Sequence, residues 1–120
     1  MFRFEKLAVW QKSIAFADAV YEISQQFPDN ERFGLTSQIR RAAVSIGSNI
    51  AEGSARSDAD FSRCIGYATG LLYEVVTQSF VARRRGFPPG AQFDQIYEAA
   101  QEIARMLSGL RDSLGDASSG

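Results

Sequence analysis

The chain has 120 residues, 45% of them hydrophobic and 22% charged, with a formal net charge of −1. That is one domain's length, enough to bury a core without staples and too apolar for intrinsic disorder. With one cysteine, Cys64, and no histidine, the composition excludes an internal disulfide, Ser-His-Asp and Cys-His catalysis, the common zinc sites and the Glu-x-x-His di-iron site of helical bundles.

The N-terminal stretch MFRFEKLAVWQKS interleaves charges with apolar residues and lacks the roughly 7–15-residue apolar run of a signal peptide. No stretch approaches the roughly 18 apolar residues of a membrane span, so the expected location is the cytoplasm, with no membrane partner. Helix one is predicted over Glu5–Gln26. Leu7, Trp10, Ile14, Ala17 and Tyr21 recur at 3,4 spacing, the stripe of a bundle core. Val9, Phe16, Val20, Ile23 and Phe27 form a second apolar stripe roughly 120° away on the same helix. A helix in a monomeric four-helix bundle needs one stripe, so the second is read as a subunit interface. The alternative is a wide core contact shared by two neighbours in the same chain. Phe27-Pro28-Asp29-Asn30 ends the helix, because proline disfavours helical geometry in the residue before it and Asp-Asn is turn chemistry.

Helix two is capped by Thr36 or Ser37 and reaches Ser54. Its centre, QIRRAAVSIGSNIAEG over residues 38–53, sorts into three faces. Ile39, Ala43, Ile46 and Ile50 share the apolar face. Arg40, Val44, Gly47 and Ala51 form a small face, and Gly47 marks a close crossing or a slight bend. Arg41, Ser45, Asn49 and Glu52 lie roughly opposite the apolar face. This polar stripe has two readings: a ladder of hydrogen bonds that fixes helix pairing, or a contact surface for a partner.

Ser57 and Asp60 form a capping box that opens helix three, predicted over Asp58–Arg85. Phe61, Ile65, Ala68, Leu72 and Val75 are its core stripe, widened by Cys64, Leu71 and Val76. Gly66 and Gly70 are a small-xxx-small pair that predicts close helix packing. Arg83-Arg84-Arg85 close the helix, where cations suit the macrodipole. Gly86-Phe87-Pro88-Pro89-Gly90 breaks the pattern. Helix four is predicted over Ala91–Leu114, with Phe93, Ile96, Ala100, Ile103, Leu107, Leu110 and Leu114 at unbroken 3,4 spacing. The domain is expected to span 1–114, with 115–120 a flexible tail. Four long amphipathic helices on short loops predict an all-α antiparallel four-helix bundle.

Charge is unevenly spread. Residues 1–31 carry net −2, residues 32–85 net +4 and residues 86–120 net −3. One reading is complementary helices within one bundle. The other is a basic surface for an anionic partner, with Arg40, Arg41, Arg56, Arg83, Arg84 and Arg85 as candidate contacts to RNA or DNA phosphates. Neither GxxxxGK[ST] nor GxGxxG occurs, and Cys64 lies on an apolar stripe as an inert core residue. No catalytic residue, metal site or cofactor is expected.

LAVWQKS (7–13), FP (27–28), GLTSQIRRAAVSIGSNIAEG (34–53), ATGLLYEV (68–75) and ARMLSGLRDSL (104–114) carry a resemblance. The chain resembles the small four-helix bundle family found in intervening sequences of bacterial ribosomal RNA genes, which also includes accessory proteins of diversity-generating retroelements. The segment containing NIAEG is the specific part. The chain departs from the family at Gly47, where proline is common, and in being net acidic where the retroelement members are strongly basic. The resemblance implies a left-handed up-down bundle that associates side by side into a ring, typically a homopentamer, without catalysis. It leaves two expected roles: a scaffold or interaction module, or a sequence-independent accessory that meets RNA, DNA or a nucleic-acid-associated protein.

Overall fold

Among the described residues of the computed structural model, 1–87 and 90–115 with only the backbone of Ala91, the chain forms four α-helices, two 3-10 turns and no strand. The helices are α1 (Ala8–Ser24), α2 (Leu35–Ser54), α3 (Asp58–Arg84) and α4 (Gly90–Ser113), and the turns are Arg3–Lys6 and Asp29–Glu31. Pro88, Pro89 and the expected tail from residue 116 lie outside the described residues. No helix of these residues is long and apolar enough to cross a membrane.

Local chemistry sets the helix ends. Helix one begins at Ala8 rather than Glu5, because Leu7 is extended (φ −77°, ψ 122°) and Glu5 Oε2 accepts from the Phe2 N–H at 2.6 Å, closing a separate turn. Phe4 then packs edge-on to Trp10, with ring centroids 5.0 Å apart. Neither Thr36 nor Ser37 caps α2. Gly34 is the cap residue, and Glu31 Oε1 accepts from the Leu35 N–H at 3.2 Å. A carboxylate there satisfies an orphan donor and complements the helix dipole, which removes the need for a hydroxyl cap. Ser57 caps α3, its Oγ accepting from the Asp60 N–H at 3.2 Å, which is one half of the expected capping box. At the other end of α3, Gly86 takes φ +75°, its N–H donates to Arg83 O at 2.9 Å and the Phe87 N–H donates to Ala82 O at 3.0 Å. This is a Schellman cap, and the Phe87 ring packs 5.6 Å from the Phe27 ring.

The core draws on all four helices. Ile39, Ala43, Ile46 and Ile50 are buried, as are Phe61, Ile65, Ala68, Leu72 and Val75, and Phe93, Ile96, Ala100, Ile103 and Leu107 of α4. On α1 the two stripes exchange roles. Val9, Phe16, Val20, Ile23 and Phe27 are the buried core, each 7% exposed or less, so they do not form a subunit interface. Of the stripe predicted for the core, Ala17 is buried, Leu7 and Trp10 are half-buried, and Ile14 and Tyr21 are exposed. The reason is chemical. The second stripe is pure hydrocarbon, whereas Trp10 and Tyr21 bring polar atoms that favour an edge position.

Helix α1 packs on α2 and α4, and α3 packs on α2 and α4. A Cβ at Gly47 would lie 3.4 Å from Ile14 Cδ1, so this glycine sits where α2 crosses α1. Gly53 marks the tighter approach to α3. The predicted Gly66/Gly70 pair does not join two backbones: Gly66 lies under the Arg111 guanidinium and Gly70 faces open space. Arg111 Nε donates to Ser62 Oγ at 3.1 Å, and Phe80 meets Phe93 edge-on at 4.9 Å, tying α3 to α4. Lys12–Glu102 at 3.0 Å ties α1 to α4, and Gln26, in the turn after α1, donates to Gln92 Oε1 at 2.7 Å.

Candidate interaction surfaces

The polar stripe of α2 is not a ladder between helices. Ser45 Oγ donates to Arg41 O at 2.8 Å and Asn49 Nδ2 donates to Ser45 O at 2.9 Å, both within α2. Glu52 is exposed and pairs with Arg56 at 3.4 Å one turn on. The hydroxyl and amide therefore satisfy themselves on their own backbone, leaving the stripe free to face solvent or a partner.

The six candidate arginines do not converge. Arg40 Nε donates to Ser24 Oγ at 2.7 Å and its guanidinium lies 4.7 Å from the Tyr21 ring centroid, so it is engaged by α1. Arg56 is held by Glu52 near the start of α3. Arg83, Arg84 and Arg85 sit at the far end of that helix, about 40 Å away at 1.5 Å rise per residue. Arg83 lies 4.6 Å over the Phe93 ring, and Arg84 and Arg85 are exposed. Arg41 is exposed and lines a cleft.

Among the described residues, three grooves between helices are of note, beside a smaller one between α1 and α4 lined by Ala19, Glu22, Gln92 and Gln95. Phe4, Trp10, Ile14 and Ala17 meet Val44 and Ala51 around an apolar groove of about 280 Å³ between α1 and α2. Its exposed floor includes Ile14 at 47% and Val44 at 46%. Tyr73, Val76, Tyr97 and Ala104 line a second apolar groove of about 180 Å³ between α3 and α4. The groove between α2 and α3 is polar, about 310 Å³, lined by Gln38, Arg41, Ala42, Ser45, Leu71 and Glu74. Ile14 and Val44 were legible as apolar in the sequence, but their exposure depended on which α1 stripe entered the core. Glu74 gave no signal by itself. Among the described residues no group of three or more His, Cys, Asp or Glu side chains gathers to hold a metal ion.

The described residues thus define an all-helical four-helix bundle with grooves between its helices. The 23S rRNA-intervening sequence protein family matches over residues 5–109, and the chain belongs to that family. A solved structure of a protein of unknown function from the S23 ribosomal protein family of Bacteroides thetaiotaomicron is 26% identical, with TM-score 0.79 over 86% of this chain and 97% of that one. No curated protein matches the chain.

Proposed function

We propose that the chain is a non-enzymatic, cytoplasmic scaffold or interaction module. It is a single domain over residues 1–114, a left-handed up-down bundle closed into a homopentameric ring. One observation carries this reading: two unlike apolar grooves lie on non-adjacent helix pairs, α1/α2 and α3/α4. One self-complementary patch makes a dimer, whereas two different patches that fit each other make a head-to-tail contact, which closes into a ring where the rotation per subunit closes. Exposed Ile14, Val44, Tyr73 and Tyr97 supply the apolar area for such a contact. Light scattering should give a mass near five times 13.2 kDa. Ile14→Glu spoils one face and Tyr97→Glu the other, so each variant should be a monomer, while their mixture should form heterodimers through the two intact faces. A wild-type monomer at micromolar concentration, or a mixture that stays monomeric, overturns the ring.

A second reading, a sequence-independent RNA- or DNA-binding accessory, is favoured by exposed Arg84, one helical turn after exposed Phe80, whose ring lies 6.0 Å from that of exposed Tyr97, with exposed Arg85 following. Cations next to aromatic faces suit phosphates and unstacked bases. Salt-dependent binding to a mixed-sequence RNA tests it.

A further inference from the structure

The charges along the α2/α3 groove divide into two halves. At the end near the α2–α3 connection they neutralise each other: Glu52 pairs with Arg56, and Asp60 with Arg63, each at 3.4 Å. Towards the other end, Arg41 and Glu74 line the same cleft, yet neither joins an ion pair among the described residues. Glu74 Oε1 accepts only a long bond from Gln78 Nε2, 3.4 Å, and Gln78 Oε1 is buried without a hydrogen-bond partner. Glu74 on one wall of the cleft is thus short of donors, while Arg41 on the opposite wall has no ion-pair partner among the described residues.

Helix α3 carries a stripe that flanks its core face, with Leu71 half-buried against the core and Gln78 buried. Tyr67, Leu71, Glu74, Gln78 and Val81 follow 4,3,4,3 spacing, the seam of one helix packed on another. Its ends are apolar and open, Tyr67 at 59% and Val81 at 47% exposure, and its centre is polar. A polar pair at the centre of an apolar seam fixes register. We infer that the α2/α3 groove receives an amphipathic helix of a partner protein, with apolar residues at both ends and a Lys or Arg near its centre that meets Glu74. An Asp or Glu one turn from that cation meets Arg41. The stripe spans about 21 Å, so the docked segment is about 15 residues. This deepens the scaffold reading and rests on it, because the ring uses the other two apolar grooves and leaves this one for what the ring organises.

The test uses full-length protein and capped, alanine-based helical peptides of about 15 residues, with leucines at both ends of one face. One peptide carries Lys and Glu a turn apart at its centre, one carries Gln at both positions, and one carries Lys at both. Fluorescence anisotropy should show the Lys/Glu peptide binding the wild type at least about tenfold more tightly than the Gln/Gln peptide. Arg41→Glu converts the cleft to two acids and should switch the preference to the Lys/Lys peptide, which a merely structural role for Arg41 would not do. Equal binding of the charged and uncharged peptides, no saturable binding at about 1 mM, or no switch in Arg41→Glu overturns the proposal. The mass of Arg41→Glu and Glu74→Gln should equal that of the wild type. A lower mass for either means the cleft lies between copies and also overturns it. If the wild type itself is monomeric, the ring reading fails while the peptide comparison still decides this one.

Discussion

Gly53 and Cys64 meet where α2 leaves its closest approach to α3: a Cβ on residue 53 would lie 2.7 Å from Cys64 Cβ and 2.8 Å from Phe61 Cδ1. The Cys64 Cβ is fixed to its helix and cannot swing away. Gly53→Ala should therefore force the helices apart, costing about 1–3 kcal/mol, offset by up to about 1 kcal/mol of better helix propensity. Urea unfolding should show a net loss. The same substitution at Gly70, which meets nothing within 4 Å, should leave stability equal or raise it by up to about 1 kcal/mol. A neutral Gly53→Ala would mean that the crossing relaxes freely.

Phe16 and Ile14 sit two residues apart on α1, and their substitutions should separate folding from assembly. Phe16 is 2% exposed within the chain's own core, so Phe16→Ala should cost about 3–5 kcal/mol and lower the thermal midpoint whatever the oligomer state. Ile14→Glu places a charge at a position already open to solvent, so helicity by circular dichroism should be kept and only the mass should fall. Loss of helicity in Ile14→Glu would assign that residue to the fold.

These two stripes mark the limit of what the sequence made legible. All four helices, the Ser57 cap, and the cores of α2, α3 and α4 followed from spacing, because on those helices one apolar face outweighs the rest. On α1 two apolar faces compete, and their periodicity is the same. What decides is the cost of burying the Trp10 and Tyr21 polar atoms, which spacing does not register. The start of α2 depended on Glu31 reaching back from a preceding turn, a contact set by a loop. The grooves were less legible still. The polar stripe of α2 was visible, but whether Ser45 and Asn49 bond across helices or along their own backbone is a matter of geometry.

Arg40 should act as a pin between α1 and α2. Its guanidinium combines a 2.7 Å bond to Ser24 Oγ with a stacked position over Tyr21, which a lysine cannot reproduce. Arg40→Ala should destabilise by about 1–2.5 kcal/mol, from one hydrogen bond and one cation–π contact at a half-buried site. Arg40→Lys should recover less than half of that loss in chemical denaturation. Full recovery by lysine would reduce the contribution to simple charge. Because Arg40 is spent in this way, its removal should leave the salt dependence of any RNA binding unchanged.

That salt dependence is the last expected outcome, and it concerns Arg84 and Arg85. Both are exposed at the end of α3, and a ring would repeat them on every subunit. Each arginine–phosphate contact releases counterions, so log affinity should fall with log salt by about 0.7 per contact on single strands. The acidic segments at the two ends of the chain oppose binding, but at 0.15 M salt the Debye length is about 8 Å, short enough for a local basic band to act if the acids face elsewhere. Binding to a mixed-sequence RNA should thus be weak at about 0.05 M salt and mostly lost by physiological salt. Changing Arg84 and Arg85 together to Ser should flatten the slope by at least about 0.7, whereas Arg83→Ser should change it less, because Arg83 already lies against Phe93. An unchanged slope in the double variant would move the phosphate contacts to Arg41, which is exposed, has no carboxylate partner among the described residues and lacks the ring contact that engages Arg83. No binding at low salt would leave the accessory reading without a physical basis, and the grooves between the helices would then carry the protein's interaction chemistry.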